Sequence, residues 1–338
     1  MVEERNIEAL RLDCALGCVI GAFIGDALGS ALEFKSTITS ELLTKALEMP
    51  GGIYNNAPGQ VTDDSELAMC LLTALNETAP DFSLENIAKY YKYWINSRPF
   101  DIGSTIASAL LPLRDEEEDL ANVAIHASEY FNIGSKSNGS LMRASPLAVF
   151  CRKLSVDEII DIVSKEVSLT HSNQTIIQSE CLYIIFIAHL IQNPHDKQGA
   201  WNKAMDYLNN CNDEVKQWVH DINNSPPMPG NPMMGFAKIA FDHSFRQVMK
   251  TGINFETAMR EILVIGGDTD SNAAIVGAIV GAYVGYRELP DNWKIKVEKF
   301  NSLTMKGIRR EGEFLNQTLV NEKVRSLFEK APESIRRS

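Results

Sequence analysis

The stretch VIGGDTDSNAAIVGAIVGAYVG, residues 264–285, is almost wholly apolar or small, yet Asp268 and Asp270 stand at its head. Ionised carboxylates are costly to bury unless they are paired or bound to a metal. The free N–H groups and positive dipole end of a helix N-terminus satisfy one such group, which leaves the second in need of a partner. A second acidic helix mouth lies in VTDDSELAMCLLTAL, residues 61–75, where Thr62, Asp63 and Asp64 precede another apolar run. Alone, each mouth reads as an N-cap followed by a favourable first-turn acid. Facing one another, they would offer the carboxylate and hydroxyl oxygens that hard divalent cations such as Mg²⁺ or Mn²⁺ take, with positions left open for substrate.

Further polar groups stand among apolar residues. In GCVIGAFIGDALGSALEF, residues 17–34, glycines at 17, 21, 25 and 29 leave one helix face bare, so that another element can approach closely. Gly17 and Gly21 are read as packing positions and Asp26 as a structural hydrogen-bonding group. Glu33 falls where that helix gives way to a Gly/Pro-containing segment, from which it can swing into a cleft. Asn138-Gly139-Ser140, ahead of LMRASPLAVF, reads as a turn opening a helix, an arrangement that presents backbone N–H groups to an anion; the plainer reading is an N-cap turn. Arg143 is expected as a buried structural arginine.

The elements that must position these groups are helices. Apolar residues recur at spacings of three and four over 7–24, 65–75, 84–95, 104–111, 155–167, 174–191, 235–249, 255–264 and 272–285. Start signals accompany several: Asp64-Ser65 before ELAMCLLTAL, Ser83 before LENIAKYYKYW and Ser155 before VDEIIDIVSK. No convincing alternating strand, internal repeat or long linker interrupts them. The expected fold is all-α, one compact multi-helix domain over residues 1–338. Loop-like stretches at 49–60, 97–104, 132–140 and 224–235 carry its glycine, proline and asparagine, and loops on a rigid scaffold are where binding groups usually sit.

Composition narrows the function classes. With 338 residues, 45% of them hydrophobic and 22% charged, the chain has an ordinary globular make-up. A net charge of −12 lacks the basic footprint of a nucleic-acid binder. The amphipathic start MVEERNIEALRLDC has no continuous apolar core, so no signal peptide is expected and the location expected is the cytoplasm. The longest apolar run, Cys181 to Ile191, is too short to span a bilayer. The six cysteines (14, 18, 70, 151, 181 and 211) sit mostly among apolar residues and are expected as buried free thiols. Cys14 and Cys18 lack a following Cys/His pair at zinc-like spacing.

Six motifs occur in order: GDALGSALE (25–33), TDDSELA (62–68), RPFDIG (98–103), SNGSLMR (137–143), LTHSN (169–173) and GGDTDSNAA (266–274). Together they resemble the ADP-ribosylglycohydrolase family, which contains the dinitrogenase-reductase-activating glycohydrolases and the ADP-ribosylarginine and ADP-ribosylserine hydrolases. The resemblance runs from about residue 12 to about 290. It implies an all-α fold with two Mg²⁺ (or Mn²⁺) ions in a cleft that holds ADP-ribose. Matched position by position, Thr62, Asp63 and Asp64 correspond to one group of metal ligands; Asp268, Asp270 and Ser271 correspond to the other. Ser271 stands where many relatives have threonine, and keeps the ligating hydroxyl. Glu33 matches a mobile-loop glutamate that reaches metal or substrate in some members. Asp101 and Gly103 match a segment lining the ribose pocket, and Asn138, Gly139, Ser140 and Met142 match a loop around the diphosphate and ribose. His171 matches a histidine near the phosphates; from spacing, that role and a helix-capping one stand about even.

The implied reaction is metal-dependent hydrolysis of the glycosidic bond between ADP-ribose and an acceptor, with an ADP-ribosylated protein as partner and arginine slightly favoured as the acceptor side chain. Glu33, Asp63 and Asp101 are the candidate proton-transfer groups. Two divalent cations would remove most of the repulsion among Glu33, Asp63, Asp64, Asp268 and Asp270, so that an acidic monomer can accept a diphosphate. The alternatives are a non-catalytic, crystallin-like relative and a module that binds ADP-ribose without cleaving it.

Overall fold

The computed structural model describes residues 2–334, with side chains from residue 6 onward. Among the described residues the chain forms sixteen α-helices and five short 3₁₀ turns, and the β feature is an isolated antiparallel bridge between Ser137 and Phe236. The all-α expectation holds. Each stretch with helical apolar spacing is helical: Val2–Gly29, Asp63–Thr78, Leu84–Asn96, Ser104–Leu110, Val156–Ser168, Gln174–Gln192, Ala237–Met249, Phe255–Leu263 and Thr269–Val284. Ser83 and Ser155 cap as expected, accepting from the backbone N–H groups of Asn86 and Glu158.

Asp64-Ser65 do not cap their helix; they lie inside its first turn, and Thr62 occupies the N-cap position without a side-chain capping bond. The cap comes from another helix instead. Asp26 accepts the backbone N–H groups of Thr62 (3.0 Å) and Ser65 (3.1 Å), which confirms its structural role. The helices Ser40–Leu47, Leu120–Phe131, Lys197–Leu208, Asp213–Asn224, Asp291–Lys299 and Val320–Lys330 were not expected from the spacing. Several are amphipathic with wide polar faces, as in KQGAWNKAMDYL, where few apolar positions mark the period.

The axis of the molecule is the antiparallel pair Val2–Gly29 and Thr269–Val284, and the glycine ladder is its seam. A Cβ on Gly17, Gly21, Gly25 or Gly29 would fall 2.1–2.4 Å from the backbone oxygens of Gly281, Gly277, Ala273 and Thr269 respectively. Only hydrogen fits there. The register places the end of the first helix, and hence Glu33, beside Asp268 and Asp270. Around this seam, buried apolar residues from Cys14 to Phe328 form one connected core. The Gln174–Gln192 helix is long and apolar enough to cross a membrane, so the length limit read from its Cys181–Ile191 segment understates it; its most apolar window is 83% buried in the fold. Tyr183 ties it to the seam by donating to the Ile275 carbonyl at 2.6 Å. The six cysteines are free and buried, as expected.

Candidate functional site

Gly266 and Gly267 take φ of +72° and +81°, a left-handed pair that side chains disfavour. A Cβ on Gly267 would lie 2.1 Å from the Gly230 carbonyl oxygen. The turn lets the chain double back on the segment after the first helix: Phe34 N–H donates to the Gly267 carbonyl and Gly267 N–H to the Lys35 carbonyl, both at 2.8 Å. Glu33 and Asp268 are thereby fastened next to one another through backbone bonds. Carboxylate oxygens of Glu33, Asp268 and Asp270 lie within 4.8 Å of one another.

Asp268 occupies the N-cap position of Thr269–Val284, yet its side chain makes no capping bond. It accepts instead from Asn138 Nδ2 at 2.7 Å. The plain N-cap reading of this aspartate therefore fails, and its carboxylate faces a cavity. Asp270 Oδ1 accepts the Ser271 N–H at 3.0 Å, and the Ser271 hydroxyl lies 3.8 Å from Met142 Sδ.

The cavity holds about 450 Å³. Its wall includes Glu33, Asp63, Asp64, Asp101, Gly103, Asn138, Gly139, Met142, Asp268, Asp270 and Ser271, so eleven of the fourteen sequence-selected residues converge there. The other three sit behind the wall. Thr62 Oγ1 is 3.0 Å from both Asp26 Oδ1 and Asp64 Oδ2, so its hydroxyl braces an acid. Ser140 is fully buried in the turn below Gly139. His171 is fully buried with Nε2 2.8 Å from Ser137 Oγ and Nδ1 2.8 Å from Thr170 Oγ1, and it reaches the cavity through Ser137. Burial, aided by Arg143, pushes its pKa down to about 3, so the imidazole is neutral.

Sequence reasoning passed over Tyr54, Ser137, Met234 and Gly235 in the wall. Each lies in a loop already marked by its glycine and asparagine, but a loop position carries no period to say which side chain turns inward. Tyr54 Oη donates to Asp101 Oδ1 at 3.0 Å and lies 3.5 Å from Glu33 Oε1. The bridge between Ser137 and Phe236, with Asn138 N–H donating to the Gly235 carbonyl at 2.9 Å, fixes the two loops side by side. Arg143 is the expected structural arginine: fully buried, it pairs with Glu166 at 2.8 Å and donates to the Gly139 carbonyl at 3.2 Å, which pins the cavity turn from beneath.

The crowding of acids sets the electrostatics. Burial, then the charges of Asp101 and Asp268, push the Glu33 carboxyl up to about 8. Burial likewise holds Asp63, Asp64 and Asp270 well above the usual carboxylate range, with neighbouring acids adding to the shift. Asp101 is raised less far, because the Tyr54 hydroxyl and the Ile102 N–H stabilise its anion. Two buried oxygens, Glu33 Oε2 and Asp64 Oδ1, accept no hydrogen bond from the protein. Several carboxylates with orphaned oxygens, all hard donors, fit a divalent cation held at this wall.

A family model described as ADP-ribosylglycohydrolase matches residues 8–329. The ADP-ribosyl-[dinitrogen reductase] glycohydrolase of Rhodospirillum rubrum is 25% identical, the match covering 73% of this chain and 77% of that one. The ADP-ribosylarginine hydrolase Tri1 of Serratia proteamaculans is 27% identical over 73% of this chain and 66% of its own length. Among solved structures, one titled ADP-ribosylglycohydrolase-related protein complex superposes with a TM-score of 0.72 at 20% identity, covering 95% of this chain and 99% of that one. That last likeness shows the fold.

Proposed function

Since the chain belongs to the ADP-ribosylglycohydrolase family, we propose that it cleaves the bond joining ADP-ribose to a protein side chain, with arginine as the acceptor. The observation that carries the proposal is the cavity itself, in which Glu33, Asp268 and Asp270 close on one point while Asp63, Asp64 and Asp101 line the same wall. Asp63, Asp64, Asp268, Asp270, Ser271 and Glu33 would hold two Mg²⁺ (or Mn²⁺) ions, with Thr62 bracing Asp64 from behind. When bound, these ions supply Lewis acidity and a fixed positive charge at the ribose hydroxyls and the attacking water.

The chain's own residues supply the rest. The Ser137–Gly139 turn, held by Arg143 and Asn138, fixes the diphosphate and ribose, with Met142 and Gly103 shaping the apolar part of the wall. A carboxylate among Glu33, Asp63 and Asp101 takes a proton from water as its oxygen bonds to the anomeric carbon. The bond to the acceptor nitrogen breaks, and the proton passes to the departing guanidine. Arginine is supported by the name of the Serratia relative. The proposal takes the protein to be a cytoplasmic monomer.

The test is release of ADP-ribose from peptides ADP-ribosylated on arginine or on serine, with Mg²⁺, with Mn²⁺ and with EDTA. Metal-dependent release from the arginine peptide is expected. Release from serine alone would overturn the acceptor assignment. No turnover of either, with ADP-ribose still raising the melting temperature, would make the protein a binding module. No turnover and no binding would leave the crystallin-like alternative.

A further inference from the structure

Three loops meet at the mouth of the cavity, and each brings one polar group. Glu33 follows the first helix, Tyr54 comes from the loop between Ser40–Leu47 and Asp63–Thr78, and Asp101 from the loop between Leu84–Asn96 and Ser104–Leu110. Tyr54 Oη stands between the two acids, 3.0 Å from Asp101 Oδ1 and 3.5 Å from Glu33 Oε1. A phenol has one hydrogen to donate, and the shorter contact assigns it to Asp101. Glu33 shares its surroundings with Asp268 and Asp270, a cluster to which Asp101 does not belong. The tyrosine therefore joins an acid of that cluster to one outside the triad.

The surroundings hold that hydroxyl in place. The Tyr54 ring packs against Phe100, the residue before Asp101, with centroids 5.9 Å apart. Its loop is braced by Ile53 N–H to the Ser30 carbonyl at 3.1 Å, and by Asn56, which accepts from Gly52 N–H at 2.9 Å and donates to the Gln60 carbonyl at 3.1 Å. The Asp101 loop is braced in turn by Arg310, which donates to the carbonyls of Ser97 and Arg98 and pairs with Glu66 at 2.7 Å. A reacting carboxylate gains most when its orientation is fixed before substrate arrives.

On the glycohydrolase reading above, we propose that Tyr54 is a positioning residue for Asp101. The phenol engages Oδ1 and fixes the plane of the carboxylate, and Oδ2 exchanges the proton with water and acceptor. As the water oxygen bonds to the anomeric carbon, its proton goes to Asp101; the acceptor nitrogen leaves with the bonding pair and then takes that proton. Tyr54 keeps its own hydrogen throughout. Among the candidate proton-transfer groups this singles out Asp101.

Tyr54→Phe removes one oxygen and leaves the ring on Phe100, so the fold is preserved. With an ADP-ribosylated arginine peptide and Mg²⁺, kcat should fall about tenfold or more, as for loss of one hydrogen bond to a charged group. KM should stay within error of the wild-type value, and kcat is read well below the variant's melting temperature, so that the stability of the lost hydrogen bond does not enter it. Because Tyr54 acts through Asp101, the Y54F/D101N double variant should turn over as slowly as D101N alone. In Y54F/E33Q the two losses should multiply. Unchanged kcat in Y54F, multiplying losses with D101N, or coupling to Glu33 instead would each overturn the assignment. Lack of turnover by the wild-type protein on every acceptor would instead overturn the functional reading beneath it.

Discussion

Arg143 and Glu166 are both fully buried and meet at 2.8 Å, and Tyr91 adds its hydroxyl to the same carboxylate at 2.5 Å. Glu180 lies close by with neither oxygen hydrogen-bonded, and burial, then the Glu166 charge, push its carboxyl up to about 8. One acid is thus a counter-ion and the other is held neutral. Glu166→Gln removes the counter-ion of a buried guanidinium, a change that costs about 3–5 kcal/mol. Glu180→Gln replaces an acid that folding must keep protonated by an amide that needs no proton, so the urea midpoint should rise at pH 7 and change little near pH 4. In E166Q, however, Glu180 is the remaining acid beside Arg143, so the double variant should be less stable than the two single effects added together; simple additivity in urea would refute this division of labour. At the cavity, Asp270→Asn should abolish the rise in melting temperature that Mg²⁺ confers while leaving the metal-free protein as stable or more so, since an amide needs no proton to enter the buried, acid-crowded wall. An undiminished Mg²⁺ shift would rule out Asp270 as a ligand. Residue types alone made most of this legible: acids at helix mouths, a buried arginine, a structural Asp26. They did not say that Thr62 turns inward to brace Asp64, or that Tyr54 joins two acids, because both facts depend on which way a short loop or first turn faces.

At the scale of elements, the antiparallel seam between the first helix and Thr269–Val284 both packs the core and aligns the acids. A Cβ on Gly25 would lie 2.1 Å from the Ala273 oxygen, a backbone atom that cannot swing aside. Gly25→Ala should therefore force the helices apart, at about 1–3 kcal/mol of stability. It should also weaken Mg²⁺ binding, because the same shift carries Glu33 away from Asp268 and Asp270. Gly134→Ala is the control: nothing lies within 4 Å of its Cβ, and both properties should hold. Thermal melts with a Mg²⁺ titration check both variants. If G25A melts lower but binds Mg²⁺ as before, the seam is packing alone. The seam was visible in sequence as glycines every four residues, and the long helices as apolar periodicity. The polar-faced helices such as Asp213–Asn224 were not, because four buried positions in twelve leave little period to read. Nor was the distant cap on Asp63–Thr78 visible, since Asp26 lies 36 residues before Thr62 in sequence.

The whole molecule carries a net charge of −12 and gathers several acids at one wall, so its stability must depend on protons and divalent cations together. Glu33 is raised from an ordinary 4.5 to about 8 in the folded, metal-free protein, with Asp63, Asp64 and Asp270 raised in the same direction. Between those two pH values the folded state binds more protons than the unfolded chain. Stability then falls as pH rises, because folding is favoured wherever the folded state holds the extra protons. The contribution is complete below the unfolded value and lost as pH passes the folded one. In EDTA the melting temperature should accordingly drop from pH 5 to pH 8. Divalent cations reverse the balance, since their ligands must be deprotonated and binding releases the protons that the free site retains. The Mg²⁺-induced rise in melting temperature should be small at pH 5 and grow toward pH 8, and calorimetry in buffers of different ionisation enthalpy should register proton release. Glu180 lies outside the metal wall and is raised to about 8 on its own, so a residual decline should persist with Mg²⁺ and disappear in E180Q. A metal-free protein that grows more stable from pH 5 to pH 8 would mean that these carboxyls are charged in the free site, and that its repulsion is relieved by some means other than protonation.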